Sequence, residues 1–291
     1  MGHHHHHNTK NLKTAFFLNL VFTVIEIIGG FYTNSMAILS DALHDLGDSL
    51  SLGLSWYFQN IAKKGRSKSF SYGYGRFSLL GAIINAIVLI TGSVIIVYNA
   101  IPRLLNPETP DTSGMIILAV LGIIFNGAAV LRLKKGISIN EKVVSLHLWE
   151  DVLGWLAVLA GAIVMHYFNL PIIDPILSLL IAGYILINVF KNLKESLRII
   201  LQGTPKGIDI NKVIAGIKVI NEITDIHDCH IWTLEGEQVI FSAHLVVQKP
   251  MSLEEMSVLK KRVRSHLSEH NIEHATLEFE TSQEDCALAQ C

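Results

Sequence analysis

Six apolar stretches, each long enough to cross a bilayer (about 20 residues), dictate what this chain of 291 residues can become. They run over 12–32, 36–58, 77–101, 113–133, 143–168 and 176–200. The separators are short and turn-like: Thr33-Asn34-Ser35, Lys63 to Tyr74, the Pro102/Pro107/Pro110 segment, Lys134 to Asn140, and Asn169 to Pro175. A buried soluble helical bundle is the competing reading, but six such stretches in series favour six transmembrane helices. Half of the residues are hydrophobic and only 16% are charged, well under the quarter typical of soluble domains.

The cations give the orientation. Lys10 and Lys13 precede the first span, and Lys63, Lys64, Arg66, Lys68 and Arg76 follow the second. Arg132, Lys134, Lys135 and Lys142 separate the fourth from the fifth, and Lys191, Lys194 and Arg198 close the sixth. The other side has Arg103 alone. The positive-inside rule therefore predicts cytoplasmic termini.

The net charge of −2 conceals a division at Thr204. Residues 1–204 hold 15 Lys and Arg against 11 Asp and Glu; residues 205–291 hold 8 against 14. Four regions are expected: a His-rich tail (1–11), a membrane domain (12–204), a cytoplasmic domain (205–283) and a C-terminal tail (284–291). Within the third, Asp209–Asn221 reads as a helix and Thr224–Leu234 as a strand. Gln238–Val247 reads as a second strand, Ser252–Asn271 as a helix opened by the capping-box pair Ser252 and Glu255, and Ile272–Glu280 as a third strand. The order αββαβ predicts a small α+β layer.

The composition excludes disorder, and a nearly neutral chain without a basic stripe gives no support to nucleic-acid binding. Three cysteines, Cys229, Cys286 and Cys291, form no disulfide framework. The N-terminus has no signal-peptide layout, and the run His3–His7 reads equally as a purification tag or a native metal-binding tail.

Ionisable residues within a span are costly and mark function. The second span holds Asp41, His44, Asp45 and Asp48; the fifth holds His147, Glu150 and Asp151. Both contain His-x-x-x-Asp, which sets an imidazole and a carboxylate on one helix face. Two such faces offer two nitrogens and two oxygens, a set for Zn2+ or a similar transition ion rather than Mg2+ or Ca2+. Asp48 and Asp151 would cancel the charge of a divalent cation. A metal-free His–Asp clamp is the plainer alternative. Glu26, Asp41, Asp45 and Glu150 either line a water and proton path or pair with cations near the cytoplasmic side.

Taken together, the chain resembles the cation diffusion facilitator family, in particular its bacterial zinc/cadmium/cobalt efflux members. The likeness extends to Ser71–Arg76, to the run 101–107, to His227-Asp228-Cys229-His230-Ile231-Trp232 and to Ser242-Ala243-His244-Leu245. It implies a dimeric metal/proton antiporter of the bacterial inner membrane with a ferredoxin-like cytoplasmic domain, and it matches His44, Asp48, His147 and Asp151 to the transport site. It also implies cytoplasmic zinc ligands at His227, His244, His274 and Glu280, for which a surface at a dimer interface is the plain alternative. The tail cysteines Cys286 and Cys291 resemble a metal-capturing pair of some relatives. Two departures stand out: Lys63–Arg76 has no His, Asp, Glu or Cys, so no metal is expected there, and the long His-rich loop of many eukaryotic members is missing. His266 and His270 are expected on a solvated helix face.

The expected mechanism is alternating access, with Zn2+ displacing protons from the imidazoles and protons displacing the metal on the far side. No Walker or phosphorylatable Asp motif is visible. A membrane-bound metal sensor and a passive channel are the alternatives.

Overall fold

The computed structural model describes residues 8–133, 139–282, 284 and 286; the side chains of 8–16, 18, 129, 132–133 and 139–147 lie outside that description. The run His3–His7, the side chain of His147, Cys291, and the cations Lys10, Lys13, Arg132, Lys134, Lys135 and Lys142 therefore fall outside the described residues.

Six long helices come first: α1 (Asn8–Thr33), α2 (Met36–Ala62), α3 (Phe77–Leu105), α4 (Thr112–Leu133), α5 (Ile139–Phe168) and α6 (Ile173–Ile200). Each contains one of the apolar stretches. Asn34 and Asn169, both in the left-handed region, end α1 and α5; a short polar side chain tolerates that conformation. Among the described residues, α3, Leu148–Phe168 of α5, and α6 are long and apolar enough to cross a membrane. Asn19–Thr33 and Thr112–Ala128 are shorter apolar segments. The polar residues of α2 keep it outside that group, although it has 27 residues.

The helical unit buries polar side chains beside its apolar clusters and exposes large apolar ones. Glu26, Ser35, Ser40, Asp41, Asp45, Asp151, Asp174 and Ser178 are buried, whereas Phe31, Tyr98, Ile187 and Leu180 are exposed. A water-soluble core would reverse this, but in lipid polar groups must find partners inside. Phe22, Met115, Trp155, Val158 and Met165 form one apolar centre; a Cβ at Gly122 would meet the Trp155 ring at 2.4 Å, so the absent side chain lets α4 and α5 approach.

The sheet-containing C-terminal region has the order α7 (Ile210–Lys218), β1 (Ile223–Thr233), β2 (Val239–Val247), α8 (Leu253–Glu269) and β3 (His274–Thr281). Asp209 caps α7 by accepting from the Asn211 amide, and Ser252 with Glu255 forms a reciprocal capping box on α8. The strands lie in the order β1-β2-β3, antiparallel between β1 and β2 and parallel between β2 and β3. Phe241, Ala243, Leu245 and Val247 point to one face and pack against Val213, Ile217, Leu259, Val263 and Leu267 of the helices. Period-2 alternation sends His244 and its neighbours to the other face. The segment 58–80 belongs to this second compact unit: Arg76 donates to the Leu234 carbonyl at 3.3 Å, and the Tyr72 ring stands edge-on to His274.

Candidate metal centres

In the helical unit, the i,i+4 spacing on α2 brings His44 Nε2 to 3.7 Å from Asp48 Oδ2, and packing against α5 brings it to 4.0 Å from Asp151 Oδ1. Two ligand atoms on one tetrahedral zinc stand roughly 3.3 Å apart, so His44 lies near ligand spacing from each carboxylate, while the three donors are not gathered within 4.8 Å of one another. Asp151 is buried; His44 and Asp48 are partly open. His44 and Asp151 border a cavity of about 410 Å3 lined also by Asp41, Glu150 and Tyr184. The Tyr184 hydroxyl donates to Glu150 at 3.3 Å, which places Glu150 at the cavity wall. Glu26 and Asp45 are buried beside one another between α1 and α2, and the Asn19 amide donates to the Asp45 carbonyl and to the Ser49 hydroxyl.

A second group crosses the open face of the sheet. His227 and His244 are direct cross-strand partners. Glu280 lies two residues beyond the partner of His244 on β3; its carboxylate meets His227 Nε2 at 3.2 Å and His244 Nδ1 at 2.5 Å. Cys286 closes the group, with Sγ 3.4 Å from His227 and 3.6 Å from His244. The four donor atoms lie within 4.8 Å of one another. Two nitrogens, one oxygen and one sulfur form a donor set for a borderline-soft divalent ion.

Three of the four cytoplasmic residues expected from sequence thus converge, and His274 stands apart. It shares the sheet face with Glu280 but begins β3, six residues away, opposite Ile240. Cys286 reaches the group because the chain turns back after β3: Glu284 accepts from the Thr281 amide at 2.8 Å, and its own amide donates to the Thr281 carbonyl.

Sequence reasoning missed Asp228 and Glu278, which flank His244 Nε2 at 3.6 and 3.4 Å. Strand parity was the available signal for Glu278. Asp228 depends on a bulge: three steps of β1 (His227 to His230) face two of β2, and Asp228 adopts φ 47. It also bonds His230 at 2.8 Å. Cys229 takes no part. Burial, with the Asp228 charge adding to it, pushes its thiol up to about 11, away from the thiolate a metal needs. The expectation of a solvated His266 is corrected: its ring lies over Gly216 of α7, with Nε2 3.2 Å from the Val213 carbonyl.

Comparison with known proteins matches two segments of the chain. Residues 12–201 match the cation efflux transmembrane domain, and residues 205–282 match the cation efflux protein cytoplasmic domain. The chain belongs to the cation efflux (cation diffusion facilitator) family, and it is a membrane protein of divalent metal cation efflux with a helical transmembrane domain and a C-terminal cytoplasmic domain. It is 33% identical to the cadmium, cobalt and zinc/H(+)-K(+) antiporter of Bacillus subtilis, over 97% of this chain and 92% of that protein. It is 34% identical to the metal cation efflux system protein CzcD of Cupriavidus metallidurans, over 96% and 90%, and 29% identical to the zinc transporter ZitB of Escherichia coli K12, over 96% and 93%. Among solved structures, the metal-bound C-terminal domain of the CzcD transporter corresponds to 25% of this chain and 99% of its own length, at 28% identity and a TM-score of 0.23.

Proposed function

We propose that the chain exports Zn2+, with Cd2+ and Co2+ as further substrates, from the cytoplasm by proton antiport. The observation that carries this reading is the approach of His44 of α2, itself beside Asp48, to Asp151 of α5 at the wall of a cavity. His147, four residues before Asp151 on α5, supplies the fourth ligand. Zn2+ binding requires neutral imidazoles and ionised carboxylates, so loading releases protons and protonation on the far side releases the metal. The relatives' printed names, which include antiporters and zinc transporters, favour transport over a sensor or a channel.

In this reading α1–α6 are six transmembrane spans of a bacterial inner-membrane protein embedded in lipid, with both termini cytoplasmic; the cation-rich α2–α3 and α4–α5 connections support that orientation. The division at Thr204 separates them from a ferredoxin-like domain that joins two copies into a homodimer. Its His227, His244, Glu280 and Cys286 hold Zn2+ as a regulatory ion, offsetting part of the acidic excess of residues 205–291. Cys291 belongs to that domain's metal chemistry as an accessory ligand, whereas His274 does not.

Purified protein in liposomes tests the proposal. An imposed pH gradient should drive radiotracer zinc uptake, and Asp48→Ala and Asp151→Ala should each abolish it. Undiminished flux in both variants would sink the transport site, and flux indifferent to the pH gradient would sink antiport.

A further inference from the structure

Asp174 is a buried carboxylate outside both metal groups. It occupies the first turn of α6, 1% exposed, and accepts three hydrogen bonds from the start of α2: Ser35 Oγ at 2.5 Å, Met36 N at 2.7 Å and Ala37 N at 3.2 Å. The first amides of a helix have no partner within it and carry the positive end of its dipole. Here they are answered twice, locally by Ser35 Oγ, which accepts from Ile38 N, and across the bundle by Asp174. Separating the two helices would strand a carboxylate and two backbone amides in an apolar setting, a cost on both sides of the contact.

The surroundings reinforce it. Ser40 Oγ donates to the Ser178 carbonyl at 3.2 Å, with both residues fully buried, and Met36 of α2 and Ala182 of α6 share one buried apolar cluster. Arg103 donates to the backbone and side-chain oxygens of Asn34, whose amide donates to Glu108, so the α1–α2 turn is fixed as well. The far half of α2 is different: Leu52, Trp56 and Tyr57 are exposed.

Resting on the transport reading above, we propose that Asp174 is a positioning residue that anchors one end of α2 to α6, so that His44 and Asp48 swing about this fixed end as the site changes sides. At about 1.5 Å per residue Asp48 lies roughly 20 Å along the helix from Ser35, so a tilt of about 10° displaces it by roughly 3 Å, more than a zinc–ligand bond. A small rotation at the anchor is enough to make or break coordination.

The test is zinc flux in proteoliposomes divided by the amount of protein that binds zinc at equilibrium, which removes misfolded molecules from the comparison. Asp174→Ala should lower this turnover by at least about tenfold, the scale of one charged hydrogen bond. Asp174→Asn, which keeps an acceptor oxygen, should recover part of it. Wild-type turnover in Asp174→Ala overturns the anchor. A second arm leaves Asp174 in place: the pair Ser40→Cys and Ser178→Cys, in a chain whose Cys229, Cys286 and Cys291 are replaced by serine, is oxidised to a disulfide. Unchanged flux supports a fixed end; flux lost on oxidation and restored by reductant overturns it, because that end must then open. Asp151→Ala run in parallel separates the two claims. If it transports normally the transport site itself fails, whereas its loss beside normal Asp174→Ala flux brings down the anchor alone.

Discussion

The two metal groups are built on opposite principles. The helical group assembles from α2 and α5, its nearest described donor atoms 3.7 and 4.0 Å apart, beside a cavity and among further carboxylates. The sheet group is tighter, with carboxylate and imidazole already in contact at 2.5 and 3.2 Å, and it includes a thiol. A site that must release its ion benefits from loose donors on separately mobile helices; a site that keeps its ion benefits from a rigid pleated surface and a soft ligand. On the transport reading proposed above, the looser group suits cargo and the tighter one a resident ion.

Several substitutions can break or sharpen that contrast. The largest expected effect is on the helical side: Asp151→Ala removes a buried ligand and should cut zinc flux by at least about 100-fold, beyond what outer-shell changes cost, while the sheet group still binds. Equal loss of both would erase the distinction. Next, His244→Ala should weaken the cytoplasmic site by about 100-fold in equilibrium zinc titration of the full-length protein, with the pH-driven flux still measurable. Cys229 should alkylate about 100-fold more slowly than an ordinary thiol at pH 8, since its raised pKa of about 11 against 9.0 leaves that much less thiolate; metal protection of Cys286 can then be read without interference. Cys286→Ser should weaken Cd2+ by about tenfold and Zn2+ by less, because sulfur favours the softer ion. A larger loss for Zn2+ than for Cd2+ would argue against sulfur ligation.

The smallest effect concerns the scaffold. Ser252→Ala should cost about 1 kcal/mol of α8 stability, measured as faster hydrogen exchange in its first turn. The Ser252 amide and hydroxyl hold the Glu255 carboxyl below its usual range. Its contribution is therefore complete above the ordinary carboxylate pKa and is lost as the pH falls through the lowered one.

How much of this was legible in the sequence depends on distance along the chain. Ser252 and Glu255, three residues apart, announced the start of α8, and Asp209 sat where α7 was expected to begin. His44 and Asp48 declared a shared face by spacing alone. His227 and His244 required only that two neighbouring strands pair. His274 shows where parity stops informing: it is on the same face as Glu280, but six residues of strand set it roughly 20 Å away. Cys286 needed a tertiary turn, Asp228 a bulge, and His266 the absence of a side chain at Gly216. None of these has a local signature. Asp174 is the extreme case, because its partners at Ser35–Ala37 are nearly 140 residues distant in sequence and only the packed bundle reveals them.

The short contact between Glu280 and His244 Nδ1 also has a calorimetric consequence. A hydrogen bond between carboxylate and imidazole needs a proton on that nitrogen, and a metal can take the same nitrogen only when the proton leaves. As the metal takes its place, that proton moves to Nε2 or leaves for the buffer. The heat of zinc addition should accordingly change with the ionisation enthalpy of the buffer that takes up the proton, by an amount that counts the protons each ion displaces.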